Sequence, residues 1–544
     1  MKTNVLYFGD NLPILRNREY FPDECVDLIY LDPPFNSKKD YNVLFKETSG
    51  LESEAQIKAF GDSWHWTESA QNTYHDVVTN GPIKVSKLVG ALHDSLGHND
   101  VMAYLVMMTA RLVELHRVLK PTGSLYLHCD PAASHYLKII LDQIFGPGNF
   151  RNEIVWKRTT AKGLAFTRFA SNHDIILVYT KSNKWVWNAQ YKQHDPEYVS
   201  NFYRFVEPET GRRYSLDNLI NPNKDRPNLT YEFLGITRVW RWTKERMQLA
   251  YEKGLVIQNK PGTVPRLKRY LDEQEGTSID DIWDDILPVQ AVAKERLNYE
   301  TQKPIALLER IIQASSNEGD IVLDPFCGCG TAVVAAQKLN RKWIGIDITH
   351  LAINLMRNRL KDSFGIKADV IGEPTDLAGA KALALHDRYQ FQYWATGLVG
   401  ARPVGEKKKG ADAGIDGVIT FIDDTSGKAR RVIVQVKSGH VGVATVRELK
   451  TVAANEAIGV LITLDTPTEP MTNEALEAGY YHSPIYDKDY RKIQIITIEE
   501  LLHGKTVEMP PQTQSSVTFT KALKLMKKQG EQLIMEQKKG ENED

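Results

Sequence analysis

The chain has 544 residues, 42% hydrophobic and 25% charged, with a formal net charge of -1. One hydrophobic core cannot serve that length, so roughly three or four domain-sized units are expected. The near-zero net charge excludes a purely electrostatic, histone-like DNA binder, and no apolar run approaches the ~20 residues of a membrane helix.

The chain starts as a strand and not as a signal peptide, so a cytoplasmic protein with no membrane attachment is expected. Asn4 to Phe8 is a short apolar run ending at Gly9-Asp10, and Val26 to Leu31 is a second, ending at Asp32. Both read as buried strands of a parallel sheet. A polar insertion with Trp64 and Trp66 follows, then an amphipathic helix around Ala103 to Leu119, stopped by Pro121-Thr122-Gly123 before a strand from Ser124 to His128. Asp174 to Tyr179 is a further strand pattern.

From about Lys181 to Ile286 periodicity weakens, as in an inserted recognition module. Between Ile236 and Tyr270 the basic residues Arg238, Arg241, Lys244, Arg246, Lys253, Lys260, Arg266, Lys268 and Arg269 face only Glu245 and Glu252, which suits a phosphate-binding face. Order returns with a helix from Pro304 to Ala314, a strand Ile321 to Leu323, a glycine loop, a helix Ala332 to Leu339 and a strand Trp343 to Ile346 ending at Asp347. Alternating strands and helices imply an α/β fold, a doubly wound and mostly parallel sheet with ligands at the strands' C-terminal ends. Gly372-Glu373-Pro374 reads as a linker to a second α/β core spanning Lys381 to about Gly504, and the end from Lys521 as a charged, fraying tail. Cys25, Cys129, Cys327 and Cys329 sit in strand or loop patterns that suit neither a disulfide framework nor a zinc site.

Two motifs carry chemistry in the first core. Asp32-Pro33-Pro34-Phe35 ends a buried strand, because consecutive prolines cannot continue a hydrogen-bonded ladder. Asp324-Pro325-Phe326-Cys327-Gly328-Cys329-Gly330-Thr331 follows a strand and opens a helix, whose N-terminus favours a carboxylate. Position 333 is Val, so the loop lacks the third glycine of a dinucleotide site. Asp347 stands where an acid can bind ribose hydroxyls.

With Gly9-Asp10 and Tyr299-Glu300-Thr301-Gln302-Lys303-Pro304, these motifs resemble the permuted (beta) class of DNA amino-methyltransferases, in which the catalytic tetrapeptide precedes the cofactor loop and a recognition region lies between them. The resemblance implies S-adenosylmethionine as cofactor, held by Asp10, Lys303, Asp324, Phe326, Gly328, Gly330, Thr331 and Asp347. It makes Asp32, Pro33, Pro34 and Phe35 catalytic: the Asp32 carboxylate and the Pro33 carbonyl accept the amine hydrogens, and Phe35 stacks on a base rotated out of the duplex. Aspartate at the first position favours adenine N6, whereas cytosine N4 enzymes more often carry serine there. The resemblance extends over Asn152 to Tyr179, where a loop with Lys162, Phe166, Arg168 and Phe169 suits contact with a flipped strand, solvated loop charge being the alternative. Trp240, Arg241, Trp242 and Lys244 are the candidates for recognition within the inserted module.

In the second core, Gly410 to Val418 precedes a strand Arg431 to Ser438, placing Asp416, Gln435 and Lys437 on one side of a hairpin. Such a trio can hold a divalent cation while the lysine orients a water beside a phosphodiester. It resembles the Mrr-like branch of the PD-(D/E)xK nucleases, in which Gln commonly replaces the second acid. That implies Mg2+ on Asp416 and Gln435, with Lys437 as third catalytic residue. Gln392 stands where some relatives place an acid.

The expectation is a bifunctional restriction-modification protein: residues 1–180 the catalytic part, 181–290 the recognition insertion, 291–365 the cofactor-binding part, 366–510 a restriction-endonuclease-like domain and 511–544 a tail. Double-stranded DNA is the expected partner, and paired nuclease sites imply a homodimer. No Gly-x4-Gly-Lys-Ser/Thr pattern occurs, so ATP-driven translocation would need another subunit. Three rivals stay open: a nuclease-like domain that is inactive and serves DNA binding or assembly, one that cuts only modified DNA, and methylation of RNA.

Overall fold

A computed structural model describes residues 1–34, 66–159, 169–290, 295, 297, 302–403, 414–423 and 429–511. The first core is built on β1 (Val5–Phe8), β2 (Val26–Leu31), β3 (Leu119–Cys129), β4 (Phe150–Lys157), β5 (His173–Thr180), β6 (Ile282–Trp283), β7 (Ile321–Asp324), β8 (Lys342–Asp347) and β9 (Asp369–Ile371). They form one nine-stranded sheet in the order β6-β4-β5-β3-β2-β7-β8-β1-β9, in which only β5 runs against its neighbours. This is the mostly parallel α/β sheet that the alternation of strands and helices predicts.

Burial explains the strand sequences. Every residue of β2 is buried, including Asp27, whose carboxylate takes Lys120 Nζ at 2.8 Å and the Ile321 N–H at 3.0 Å. A short helix α1 (Asn11–Arg16) follows β1, and the long helix α2 (Asp100–Val118) is capped by Asn99, which accepts from Met102 N. It carries Asp100 in its first turn and Arg117 in its last, as the helix dipole favours. The helix ends at Val118 and the chain enters β3 at once, so Pro121 to Gly123 lie inside the strand. Gly123 is needed there, since a Cβ would come within 2.8 Å of Asp27 O and closer still to Leu119.

Helix α3 (Ile305–Ser315) packs on α4 (Thr331–Lys338), α4 on β7 and β8, and α5 (His350–Phe364) on β8 and β1. The expected linker is instead a packed joint. Gly372 has φ +99, and a Cβ on it would fall 2.3 Å from Phe8 O. The next residue, Glu373, pairs with Arg357.

Residues Asn188–Asp280 cluster as a compact unit of their own. Their small core contains Leu219, Phe233, Trp240, Met247, Ala250 and Val256.

The C-terminal core has the helix α6 (Arg388–Leu398) and five strands, β10 (Arg402–Pro403), β11 (Gly417–Ile422), β12 (Ala429–Lys437), β13 (Ile458–Thr463) and β14 (Ile493–Thr497), paired in chain order. The last three are parallel. Apolar clusters cover both faces, one around Phe391, Trp394 and Val434, the other around Ile433, Leu449 and Leu461. Helix α6 packs on α5: Gln390 Oε1 accepts from His350 N at 2.8 Å, Asn354 donates to Tyr393 O, and Arg402 pairs with Asp362 at 2.6 Å. Among the described residues no helix is long and apolar enough to cross a membrane.

Candidate functional site

Four adjacent parallel strands, β2, β7, β8 and β1, end together at one edge of the sheet. Their tips carry Asp32, Asp324, Asp347 and Asp10. Carboxylates converging at a sheet edge must be neutralised, hydrogen-bonded or matched by a cationic ligand.

Asp32 receives Lys303 Nζ on Oδ2 at 2.5 Å, with the two side chains only 16% and 12% exposed. The sequence assigns Lys303 to the cofactor; the fold sets it on the proposed catalytic carboxylate. Pro33 is buried and Pro34 half-buried, which holds the tip rigid, while Phe35 lies outside the described residues.

Asp324 is buried, and its carboxyl is pushed well above the usual range by burial, with Asp32 and Asp347 adding to the rise. Its Oδ1 accepts from Phe326 N at 3.1 Å. Gly328 and Gly330 both take left-handed backbone, and a Cβ on Gly330 would meet Met356 at 2.4 Å. Asp347 Oδ2 accepts from Gly328 N at 2.8 Å, and its Oδ1 accepts from Thr349 N and Oγ1. These bonds lock the glycine loop to the tip of β8. Thr331 is buried at the start of α4, whose N-terminus no side chain caps.

Three residues that sequence reasoning passed over hold this edge together. Asn11 donates to Pro325 O at 2.7 Å across 314 residues of chain. Arg111, 5% exposed, donates to Asn11 Oδ1 and to Asp10 Oδ1 at 2.5 and 2.7 Å. Asp10 thus caps α1 and pairs with Arg111, a structural setting beside the cofactor contact that the resemblance implies. Arg359, also buried, donates to Cys329 O at 3.2 Å. The only advance signal was the Asn directly after Gly9-Asp10.

Carboxylates at adjacent tips suit a sulfonium cation carrying ribose hydroxyls, and the open N-terminus of α4 suits a carboxylate. The residues present therefore fit S-adenosylmethionine.

In the inserted unit, Trp240 is fully buried and its indole N–H donates to Tyr231 O at 2.8 Å, so it cannot stack on DNA. Its place in the aromatic core, not at the surface, corrects the sequence expectation. Arg241 and Lys244 are exposed, and Arg246 lies over Trp242 at 4.3 Å. The basic face is also smaller than the sequence suggests, because Lys268 pairs with Glu207 and Arg269 with Asp217. Lys162, Phe166 and Arg168 lie outside the described residues; Phe169 is fully exposed.

In the C-terminal core, Asp416 is consumed by its own fold. Its Oδ2 accepts from Val436 N at 2.7 Å and its Oδ1 from Gln392 Nε2 at 2.5 Å. Gln435 is buried with Oε1 lacking a hydrogen-bond partner, and Lys437 is half-buried at the end of β12. Both oxygens of the single carboxylate are thus engaged by the fold, and the residues beside it are amides, which makes this a poor donor set for Mg2+. Among the described residues no group of three or more His, Cys, Asp or Glu is arranged to hold a metal.

Comparison with known proteins agrees with this division. Residues 400–503 match a family model described as NACHT-associated inactive Restriction Endonuclease 1. The expected nuclease activity and its Mg2+ are therefore without support. Type II methyltransferase M.EcaI of Enterobacter cloacae is 29% identical over 394 residues, covering 72% of this chain and 76% of that protein. The type III restriction-modification enzyme StyLTI Mod subunit of Salmonella typhimurium is 25% identical over 355 residues, 62% of this chain and 50% of that one. DNA adenine methyltransferase YhdJ of Escherichia coli is 26% identical over 363 residues, 66% of this chain and 83% of that one. A family model described as DNA methylase matches residues 26–358, more than half of the chain, and the chain belongs to that family.

Proposed function

We propose that this chain methylates adenine N6 within a particular sequence of double-stranded DNA, and that its C-terminal domain serves DNA binding or assembly without cutting. The observation that carries the reading is the Asp32–Lys303 pair at a proline-stiffened strand tip beside Asp324 and the Asp347-locked glycine loop.

S-adenosylmethionine, when bound, supplies an electrophilic methyl group. Lys303 fixes the plane of the Asp32 carboxylate through Oδ2. In that plane Oδ1 and the Pro33 carbonyl accept the two hydrogens of the adenine amine, which turns the nitrogen lone pair out of conjugation and toward the methyl group. Phe35 stacks on the extruded base. Gly328, Gly330 and Thr331 would admit the cofactor's amino-acid end to the N-terminus of α4, with Phe326 beside it and Asp347 available to the ribose hydroxyls. Arg241 and Lys244 contact phosphate or base edges. Adenine is preferred over cytosine because the tetrapeptide starts with aspartate, and YhdJ, a relative across 66% of this chain, is named for adenine.

The test is label transfer from S-adenosylmethionine to duplex DNA, followed by nucleoside analysis, with plasmid and Mg2+ in parallel. N6-methyladenine without nicking supports the reading. N4-methylcytosine overturns the target, and Mg2+-dependent nicking abolished by Lys437→Ala overturns the assignment of the C-terminal domain.

A further inference from the structure

Helix α5 is shared by two domains. Successive residues of a helix turn by about 100°, which sets His350 and Asn354 on one face of α5 and Met356 and Arg359 on the opposite face. The second face holds the glycine loop. Buried Arg359 donates to Cys329 O at 3.2 Å and to Thr331 Oγ1 at 3.4 Å, and Met356 sits where a side chain on Gly330 would go. The first face packs on α6 of the C-terminal core.

The contacts on that first face make a built joint. His350 N opens the helix and so has no acceptor within it; Gln390 Oε1 supplies one at 2.8 Å. Gln390 is itself held, because Asp387 caps α6 by accepting from Tyr389 N and Gln390 N. Asn354 is buried, donates to Tyr393 O and leaves no room for a Cβ on Gly397, so the two helices approach closely. In the last turn of α5, Asp362 pairs with Arg402 of β10 at 2.6 Å.

The end of α5 that Gln390 caps is also where the cofactor site begins. Thr349, directly before His350, donates from N and Oγ1 to Asp347 Oδ1 at 3.0 and 2.9 Å. Asp347 Oδ2 in turn accepts from Gly328 N at 2.8 Å. An unbroken run of hydrogen bonds, joined through the Thr349–His350 peptide, therefore leads from Gln390 in the C-terminal core to the glycine loop.

We propose that Gln390 is a positioning residue for the cofactor site, through which the C-terminal core holds α5 and the glycine loop in the shape that binds S-adenosylmethionine. Without its acceptor the first turn of α5 loosens, Thr349 no longer fixes the Asp347 carboxylate, and Asp347 no longer fixes Gly328. Tyr393 and Arg402 grip the same helix further along, so the whole length of α6 is seated by the contact. Coupling of this kind is reciprocal: a cofactor that orders the loop and α5 also tightens the seat of α6. The C-terminal core thereby has a task that needs neither metal nor cleavage.

The inference rests on the methyl-transfer reading, and calorimetric binding of S-adenosylmethionine to the intact protein without DNA separates the two. Wild type that binds no S-adenosylmethionine ends both; wild type that binds it yet methylates no DNA ends the methyl-transfer reading and leaves the positioning role to the affinities. Gln390→Ala weakens binding about fivefold or more. Gln390→Glu, which keeps an oxygen for His350 N, recovers most of that loss. The loss falls in cofactor affinity and not in the single-turnover rate at saturating cofactor. Hydrogen exchange gives a second readout: S-adenosylmethionine slows the amides of α6 along with those of the loop in wild type, and only those of the loop in Gln390→Ala. An affinity of Gln390→Ala within about twofold of wild type overturns the role, and so does wild-type protection that stops short of α6. A Gln390→Ala protein that fails to fold, or a Gln390→Glu protein that recovers nothing, overturns it as well, because the contact then serves folding alone.

Discussion

Lys303 and Asp32, 271 residues apart in sequence, meet at 2.5 Å with both side chains largely buried. The pair joins the segment opening α3 to the tip of β2, so the proposed catalytic carboxylate is oriented by a residue that reaches it only through the fold. Lys303→Ala is expected to lower methylation by about 10- to 100-fold, with Lys303→Arg recovering part of it. Because the pair acts as a unit, Asp32→Ala plus Lys303→Ala should cost little more than Asp32→Ala alone. Single-turnover rates on one duplex check this, and additive losses would separate the two residues.

Asn11 links α1, Arg111 and the Pro325 carbonyl. Asn11→Ala leaves the buried Arg111 guanidinium short of an acceptor and is expected to destabilise the first core by about 1–3 kcal/mol. Cofactor affinity should fall with it, because the carbonyl it holds belongs to the loop. Denaturant unfolding with and without S-adenosylmethionine measures both effects.

The inserted unit separates packing from recognition. Trp240→Ala empties its core and should cost about 3–5 kcal/mol of that unit's stability. Arg241→Ala and Lys244→Ala should leave stability unchanged and each reduce the salt dependence of DNA binding by about one unit of slope. Thermal unfolding and binding titrations at several salt concentrations distinguish them.

His116 carries a pH signature. Burial, assisted by Lys181, lowers it from 6.5 to about 4, and its ring meets Phe145 edge-on at 4.8 Å. The unfolded chain therefore binds a proton that the folded one refuses. Stability is fully present above about pH 6.5 and declines as pH falls toward 4. His116→Gln should flatten that decline, as urea midpoints across the window would show.

In the C-terminal core Asp416 holds Val436 N and Gln392. Asp416→Ala should lower this domain's stability by about 1–3 kcal/mol without changing the methylation rate. Added Mg2+ should not raise the melting temperature of the wild type.

The strand tips were legible because a double proline and a glycine loop mark where buried strands must stop, and Asp32, Asp324 and Asp347 do end adjacent strands. The partner of Asp32 was not legible, since a lysine before a helix carries no sign of which tip it will face. Asn11, Arg111 and Arg359 are lone polar residues in ordinary patterns, and only the fold reveals what they bridge. Trp240 misled because an aromatic amid cations reads as surface, yet a small inserted unit needs its large side chains inside. Gly372-Glu373-Pro374 has linker composition, but the glycine serves a close approach to Phe8 and the glutamate an ion pair.

Adenine methylation that depends on Asp32 and proceeds without cleavage can be read by long-read modification mapping of DNA from cells expressing the protein. N6-methyladenine is expected at one sequence motif, absent with Asp32→Ala and retained with Asp416→Ala. N4-methylcytosine at a motif, or adenine methylation that persists in Asp32→Ala, would contradict it.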